Sequence, residues 1–204
     1  GGVAAEDGPV APRAPHLALT RSVVIPTSPA RAALLDRAHR SVAAQTLPPA
    51  AVIVAVDTDR AGAAATRNRA LSQVATDFVA FLDDDDELYP EHLKALARFV
   101  RLTRTDVAYP GYDADDDPVN MFGLPFDPVL LRRANFIPVT VLAKTEKVRE
   151  AGGFQPHPDV NGDPCEDWGL WLAMLDRGAK FAHLPRRTWR WHNHETSTRG
   201  RGDR

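Results

Sequence analysis

Three short apolar runs, separated by segments with helical patterns, constrain the fold of this chain most strongly. The runs are residues 22–25, 51–56 and 78–82. Segments of helical composition follow them at residues 30–44, 62–74 and 90–100. Strands that are apolar at consecutive positions lie in parallel sheets that helices cover on both faces. The pattern therefore predicts an α/β fold, with a Rossmann-like, mostly parallel sheet flanked by helices.

Polar residues follow each of the three runs. Thr27 stands after the first run and Pro26, and Asp57 and Asp59 stand after the second. Four consecutive aspartates, Asp83 to Asp86, follow the third and are called the acidic run below. Ligands of open α/β sheets bind beyond the carboxyl ends of the strands. We therefore expect these residues to form one site.

The acidic run has two interpretations. Carboxylate oxygens suit Mg²⁺ or Mn²⁺, and adjacent carboxylates repel one another unless a cation or water separates them. Alternatively, the run is a solvated loop that the positive end of the following helix stabilises slightly. Arg67, ahead of the third apolar run, is either part of an exposed helix face or a partner for a phosphate or carboxylate.

The second half of the chain is less regular. Strand-like segments occupy residues 106–109, 139–143, 180–184 and 188–192. Thr145 is expected to cap a short helix, and an amphipathic helix through Trp168 should end at Gly178. Asp163 and Glu166 fit a capping box at the start of that second helix. The capping box leaves Asp167 unexplained.

Composition narrows the functional classes. A net charge of -2 over 204 residues gives no basic surface for nucleic acid. The single cysteine, Cys165, excludes an internal disulfide and suits a reducing compartment. No apolar run approaches the roughly 20 residues that cross a bilayer. We expect a cytoplasmic protein without a transmembrane segment, for which peripheral contact with a membrane stays open.

A phosphatase is one alternative function. The apolar strand that leads to Asp57 and Asp59 resembles the start of the haloacid-dehalogenase-type phosphatases, and residues 162–167 match their downstream GDxxxD pattern. Ala61 stands where that family places threonine or valine. A non-catalytic module that binds nucleotide or carbohydrate is the other alternative.

Six segments in the same order and with similar separations resemble the family 2 glycosyltransferases, which have the GT-A fold. They are VVIPTSPARAALLDRAHRSVAAQTL at 23–47, VIVAVDTD at 52–59, ATRNRALSQVATDFVAFLDDDDELYPEHL at 65–93, VLAKTEKVREAGGF at 141–154, EDWGLWLAML at 166–175 and WRWH at 189–192. The resemblance implies inverting transfer of a sugar from a nucleoside diphosphate to an acceptor hydroxyl, assisted by Mn²⁺ or Mg²⁺.

On the donor side, the resemblance implies that Pro26 and Thr27 contact the nucleotide and that Asp57 accepts a hydrogen bond from its base. Asp83 and Asp84 would contact the donor or the waters of the metal, and Arg67 would contact the donor as well. Val56 and the pair Ser28 and Pro29 depart from the family pattern, which leaves the nucleotide open, with a UDP-sugar favoured.

The resemblance also implies the metal ligands and the base. Asp85 is the expected metal ligand, with His192 near the metal or the diphosphate. Asp167 is the expected general base, and Glu166 beside it is expected to contact substrate. The acceptor would be a saccharide or a glycoconjugate.

These roles divide the chain into two halves of one domain. We expect a flexible tail at residues 1–20, a nucleotide-sugar-binding half at 21–110, a smaller mixed acceptor-side lobe at 111–195 and a polar tail at 196–204.

Overall fold

The computed structural model describes residues 19–114, 123–158, 162 and 165–192. A single 3-10 turn, Pro29–Arg31, follows the first strand. The strands and helices are β1 (Arg21–Thr27), α1 (Ala32–Ala43), β2 (Ala51–Val56), α2 (Gly62–Leu71), β3 (Phe78–Phe81), β4 (Glu87–Leu88), α3 (His92–Thr103), β5 (Val107–Ala114), α4 (Pro128–Leu131), β6 (Leu142–Lys144), α5 (Thr145–Glu150), α6 (Glu166–Asp176) and β7 (Phe181–Trp191).

All seven strands form one sheet in the order β2-β1-β3-β6-β5-β7-β4. β1 pairs in parallel with β2 and β3, and β5 pairs in parallel with β7. β6 is antiparallel to both β3 and β5, so β3 and β5 share a direction, and β4 is antiparallel to β7. Five strands therefore run one way and β6 and β4 run the other. This confirms the α/β fold with a mostly parallel sheet.

Buried side chains alternate between the two faces of the sheet along each strand, and helices pack against both faces. Val24 and Phe81 belong to the core that includes residues of α2, α5 and α6. Val23 and Ile25 belong to the core that includes residues of α1 and α3. The carboxyl ends of β1, β2 and β3 thus meet at one edge of a sheet that is fixed from both sides.

The expectation that all three apolar runs are buried on both faces is wrong for β2. Val52, Val54 and Val56 are 36%, 37% and 41% exposed. β2 is the last strand of the sheet, and only its inner face, with Ile53 and Ala55, packs into a core. Periodicity cannot separate an edge strand from a central one when both are apolar throughout.

Residues 181–191 form one strand where two were expected. β7 runs without interruption through Pro185, and the register against β5 shifts between Pro110 and Gly111. The shift leaves Pro185 and Arg186 without partners on β5. A proline has no amide hydrogen for the ladder and is tolerated at such an irregularity.

The starts of α5 and α6 differ from the expected caps. Thr145 is the first residue of α5 and makes no capping hydrogen bond; Lys144 is at the cap position instead. Asp163, the expected cap of α6, lies outside the described residues; Cys165 is at the cap position of that helix, and Glu166, its first residue, bonds to Arg67.

The predicted tails fall largely outside the described residues, which begin at Leu19 and end at His192. The predicted boundary between the halves, at residue 110, lies inside β5, and both halves contribute strands to the same sheet. Over the described parts of the chain, no helix has the length and apolar character required to cross a membrane.

Candidate active site

A cavity of about 390 Å³ lies at the carboxyl ends of β1, β2 and β3. Its wall includes nine residues that the sequence predicts for the site, namely Pro26, Thr27, Asp57, Arg67, Asp83, Asp84, Asp85, Glu166 and Asp167. Asp59 and His192 do not line it. Residues from both halves of the chain therefore face one space.

Asp84 ties the end of β1 to the end of β3. It is 3% exposed, and its carboxylate accepts a hydrogen bond of 2.6 Å from Thr27 Oγ1. Arg31 Nε donates to both carboxylate oxygens, at 2.8 and 3.0 Å. The hydrogen bond to Asp84 is the largest of the effects that raise the pKa of Arg31. Asp84 therefore acts in this structure as an anchor for the wall of the cavity.

Arg67 joins the two halves of the site. Its side chain rises from α2 and is 5% exposed, with Nη2 at 2.5 Å from Asp83 and Nη1 at 2.5 Å from Glu166. Burial alone would lower the pKa of Arg67, but the charges of Asp83 and Glu166 outweigh it and leave the pKa raised. The guanidinium thus stays charged and links β3 to the start of α6.

Local packing fixes the position of Arg67. The guanidinium lies 5.3 Å from the ring centroid of Phe154, a cation–π contact. Asn68 holds Phe154 by accepting from its amide at 2.8 Å and donating to its carbonyl at 2.7 Å. Gly153 has φ +71°, and a Cβ there would collide with Asn68. Only glycine fits at this close approach.

Three carboxylates of the acidic run cluster tightly. A turn in which the Asp86 amide donates to the Asp83 carbonyl brings oxygens of Asp83, Asp85 and Asp86 within 4.8 Å of one another. Hard oxygen ligands of this kind fit Mg²⁺ or Mn²⁺. Asp83, Asp85 and Asp86 are called the carboxylate cluster below.

The electrostatics of the cluster favour a cation. Burial first, and then the charge of Asp83, raise the pKa of Asp85 even though Arg31 Nη2 pairs with it at 2.5 Å. Burial also raises the pKa of Asp86 well above its usual value, and Asp83 and Asp85 add to the effect. A divalent cation would relieve this repulsion.

Asp57 and Asp59 lie close together, and both contact Arg69, but their surroundings differ. The carboxylate of Asp57 lines the cavity and accepts from the amides of Ala61 and Gly62 at 2.9 and 3.0 Å, and the Gly62 bond is the main cause of its lowered pKa. Asp59 is exposed and pairs with Arg69 at 3.4 Å. The phosphatase alternative uses both aspartates, and the wall of the cavity includes Asp57 but not Asp59.

His192 reaches the carboxylate cluster through its backbone. Its amide donates to Asp86 Oδ1 at 3.0 Å, while its ring Nε2 lies 3.6 Å from Glu87. Burial, and then the charge of Arg37, lower the pKa of the ring. The predicted role of His192 as a metal ligand stays a prediction.

Asp167 lies in the first turn of α6. Its Oδ1 accepts hydrogen bonds from the Trp168 amide at 2.8 Å, Asn135 Nδ2 at 3.1 Å and the Cys165 thiol at 3.4 Å. Burial, and next the charge of Glu166, raise the pKa of Asp167, whereas Arg67 lowers it. A buried carboxylate with a raised pKa in a cavity can take a proton from a substrate.

Sequence reasoning missed three residues of this site. The sequence analysis does not single out Arg31 or Asn135, and it includes Asp86 in the acidic run without naming it as a metal ligand. Arg31 and Asn135 reach partners more than thirty positions away in the chain, so no local pattern marks them. For Asp86 the signal was present, because a turn after a strand can place alternate members of an acidic run together.

Residues 56–148 match the sequence model of glycosyl transferase family 2. The fold is similar to that of S. aureus TarS 1–349 in complex with UDP-GlcNAc, with a TM-score of 0.69 and 20% identity over 90% of this chain and 61% of that chain. It is also similar to mannosyltransferase PcManGT from Pyrobaculum calidifontis in complex with GDP-Man and Mn²⁺, with a TM-score of 0.67 and 15% identity over 91% of this chain and 60% of that one.

This chain covers 61% and 60% of the length of the two solved chains, or about three fifths. The comparison with curated proteins gives no match. At identities of 20% and 15% the structural likeness concerns the fold. Together, the match over residues 56–148 and the shared fold confirm the resemblance to the family 2 glycosyltransferases of GT-A fold that the six motifs predict.

Proposed function

We propose that this chain is an inverting glycosyltransferase that moves a sugar from a nucleoside diphosphate to the hydroxyl of a saccharide or glycoconjugate. The observation that carries the proposal is the cavity itself. The carboxylate cluster and Asp167 line the same 390 Å³ space, and Arg67 bridges the two sides. The match to glycosyl transferase family 2 supports it.

The charge of the cavity supports a metal-assisted donor site. Seven carboxylates line it, against the two arginines Arg31 and Arg67, and each arginine already pairs with two of those carboxylates. A nucleoside diphosphate would add further negative charge. Asp83, Asp85 and Asp86 would hold Mn²⁺ or Mg²⁺, which when bound neutralises charge that develops on the departing diphosphate.

Two solved structures support the kind of donor. TarS was crystallised with UDP-GlcNAc and PcManGT with GDP-Man and Mn²⁺. We favour a UDP-sugar. Pro26, Thr27 and Asp57 line the cavity beside the carboxylate cluster and would contact the nucleotide.

Asp167 would supply the base. In a single displacement, the acceptor oxygen bonds to the anomeric carbon while the bond from that carbon to the diphosphate breaks, and the configuration inverts. The acceptor proton would pass to Asp167, whose burial raises its proton affinity. Residues of both halves would hold the two substrates in reach of one another, which contributes much of the rate.

The first test measures thermal stability with UDP, GDP and dTDP, each with and without Mn²⁺, because a ligand that binds the folded state raises the melting temperature. We expect Mn²⁺-dependent stabilisation by one nucleotide. The same protein is then incubated with nucleotide sugars to detect hydrolysis of the donor. Absence of stabilisation by every nucleotide, together with stabilisation by beryllium fluoride, would replace the proposal with a phosphatase.

The proposed inversion of the anomeric configuration needs a separate measurement. Once a donor and an acceptor are known, NMR of the product gives the anomeric configuration. Inversion is expected, and retention would overturn the assignment of Asp167 as a base in a single displacement.

A further inference from the structure

The two oxygens of the Asp167 carboxylate have unequal surroundings. Oδ1 accepts three hydrogen bonds, from the Trp168 amide, Asn135 Nδ2 and the Cys165 thiol. Within the described part of the chain, no donor bonds to Oδ2. Among these residues, hydrogen bonds fix Oδ1 and leave the lone pairs of Oδ2 open to a substrate proton.

Of these three donors, Trp168 and Cys165 are sequence neighbours of Asp167, whereas Asn135 is not. It lies 32 positions before Asp167 and follows α4. The Ile137 amide donates to Asn135 Oδ1 at 3.3 Å, which turns the Asn135 Nδ2 group towards Asp167. The orientation of the amide is thus set by its own backbone.

Two indoles hold the segment of Asn135 against the helix of Asp167. Trp168 Nε1 donates to the Leu131 carbonyl at 2.7 Å, and Trp171 Nε1 donates to the Ile137 carbonyl at 3.2 Å. Both tryptophans are on α6 and both bonds are buried. These bonds bracket Asn135, so its distance from Asp167 is fixed by packing rather than by a flexible loop.

We infer that Asn135 is a positioning residue for the reaction: its amide holds Oδ1 of Asp167 so that Oδ2 faces the acceptor hydroxyl as the base. The inference rests on the proposed glycosyl transfer. An amide suits this task because it is neutral at every working pH and favours the ionised carboxylate less strongly than a cation would.

The other groups that act on Asp167 are few. Glu166 precedes it on α6 and opposes its ionisation, and Arg67 on α2 favours it. The Cys165 thiol has a pKa raised to about 12, first by burial and then by Asp167, so it remains a donor. Asn135 and Cys165 are therefore the side chains whose removal changes the hydrogen bonding of Asp167 without changing the charge of the site, and Asn135 makes the shorter bond, 3.1 Å against 3.4 Å.

The test compares Asn135→Ala and Asn135→Asp with the wild type in the pH dependence of kcat. Loss of a hydrogen bond to the ionised form raises the pKa of a carboxyl, so the acidic limb should move up by about one pH unit in N135A. It should move further in N135D, which keeps the size of the side chain and adds a negative charge. At neutral pH we expect kcat to fall on the order of 10-fold, with little change in donor KM.

Gln45→Ala is the matched control, because Gln45 is also a side-chain amide bonded to backbone groups, is buried and lies outside the wall of the cavity. It should lower the melting temperature without moving the acidic limb. Melting curves show whether the two Asn135 variants fold. If N135A does not fold, the test is made with N135D alone.

The outcomes separate the inference from the function on which it rests. If the wild type transfers no sugar from any donor, the proposed function fails. If Asp167→Asn retains turnover, the base is wrongly assigned. If Asp167→Asn is inactive while both Asn135 variants keep the wild-type acidic limb, the positioning role of Asn135 is overturned.

Discussion

Three aspartates on the strand side of the cavity are held by arginines, whereas Asp167 on the helix side is held by neutral donors. On the strand side, Arg31 and Arg67 form ion pairs with Asp83, Asp84 and Asp85. On the helix side, the direct partners of Asp167 are a backbone amide, an amide side chain and a thiol. Charged partners favour ionised carboxylates, which can then bind cations, whereas neutral donors and burial preserve affinity for a proton. The difference matches the two tasks that the proposed reaction requires.

The largest effect is expected when the residue that joins the strand side and the helix side is removed. Arg67→Ala should leave Asp83 and Glu166 without their buried partner. We expect a loss of about 3–5 kcal/mol in the free energy of unfolding, measured by urea denaturation, and no detectable turnover. Arg69→Ala is the control, since Arg69 is on the same helix but exposed, and it should change stability by less than about 1 kcal/mol. Equal effects of the two variants would contradict the linking role.

Asp167→Asn separates the helix side from the strand side. The substitution keeps the size of the side chain but removes the base, so kcat should fall on the order of 10²- to 10⁴-fold. Calorimetric titration should show that binding of nucleotide with Mn²⁺ is unchanged. Loss of nucleotide binding would mean that the helix side also holds the donor.

Asp86→Asn is the counterpart on the strand side. Because Asp86 belongs to the carboxylate cluster, the variant should weaken Mn²⁺ binding in the presence of nucleotide by about 10- to 100-fold, comparable to the loss of an important metal partner. Asp85→Asn should have at least as large an effect. Asp36→Asn, an exposed carboxylate on α1, provides the baseline. Wild-type Mn²⁺ affinity in D86N would leave Asp86 as a structural residue only.

The smallest effect at neutral pH concerns the contact between α3 and β7. His92 is fully buried and shares a 2.8 Å hydrogen bond with Thr188, and burial lowers its pKa from 6.5 to about 3. Below pH 6.5 the unfolded chain binds a proton that the folded protein does not, so stability falls as the pH drops from 6.5 towards 3.

The measurement is the difference in unfolding free energy between the wild type and His92→Gln. The stability that neutral His92 contributes is complete above pH 6.5 and should decline by up to about 1.4 kcal/mol for each pH unit below it. Asp85, Asp86 and Asp167 have raised pKa values and act in the opposite direction, but they cancel in the difference. A difference that does not depend on pH would show that His92 is protonated in the folded state.

The sequence predicts the strand side of the cavity much better than the helix side. Thr27, Asp57 and Asp83 follow apolar runs, and parallel strands bring such residues to one edge whatever the rest of the chain does. Asp167 has no comparable local signal, and its expected role came from the resemblance to a family. Asn135 had no signal of either kind, because its relation to Asp167 depends on how two tryptophans of α6 dock on residues 131–137.

Prediction of the fold from the sequence has the same limit. The order and type of the first three strands follow from their patterns, but the exposure of β2 depends on its place at the edge of the sheet, which no property of residues 51–56 encodes. The continuity of β7 through Pro185 likewise depends on an irregular register with β5.

The open edge of β2 offers a place for engineering. Among the described residues β2 pairs with β1 alone, so its outer backbone groups have no strand beside them, and three valines on one face are partly exposed. An exposed apolar edge is a template for unwanted strand pairing between molecules. The substitution Val54→Lys would discourage such pairing, whereas a strand appended beside β2 would extend the sheet. Val54 lies outside the wall of the cavity, which makes this edge a suitable place for either change.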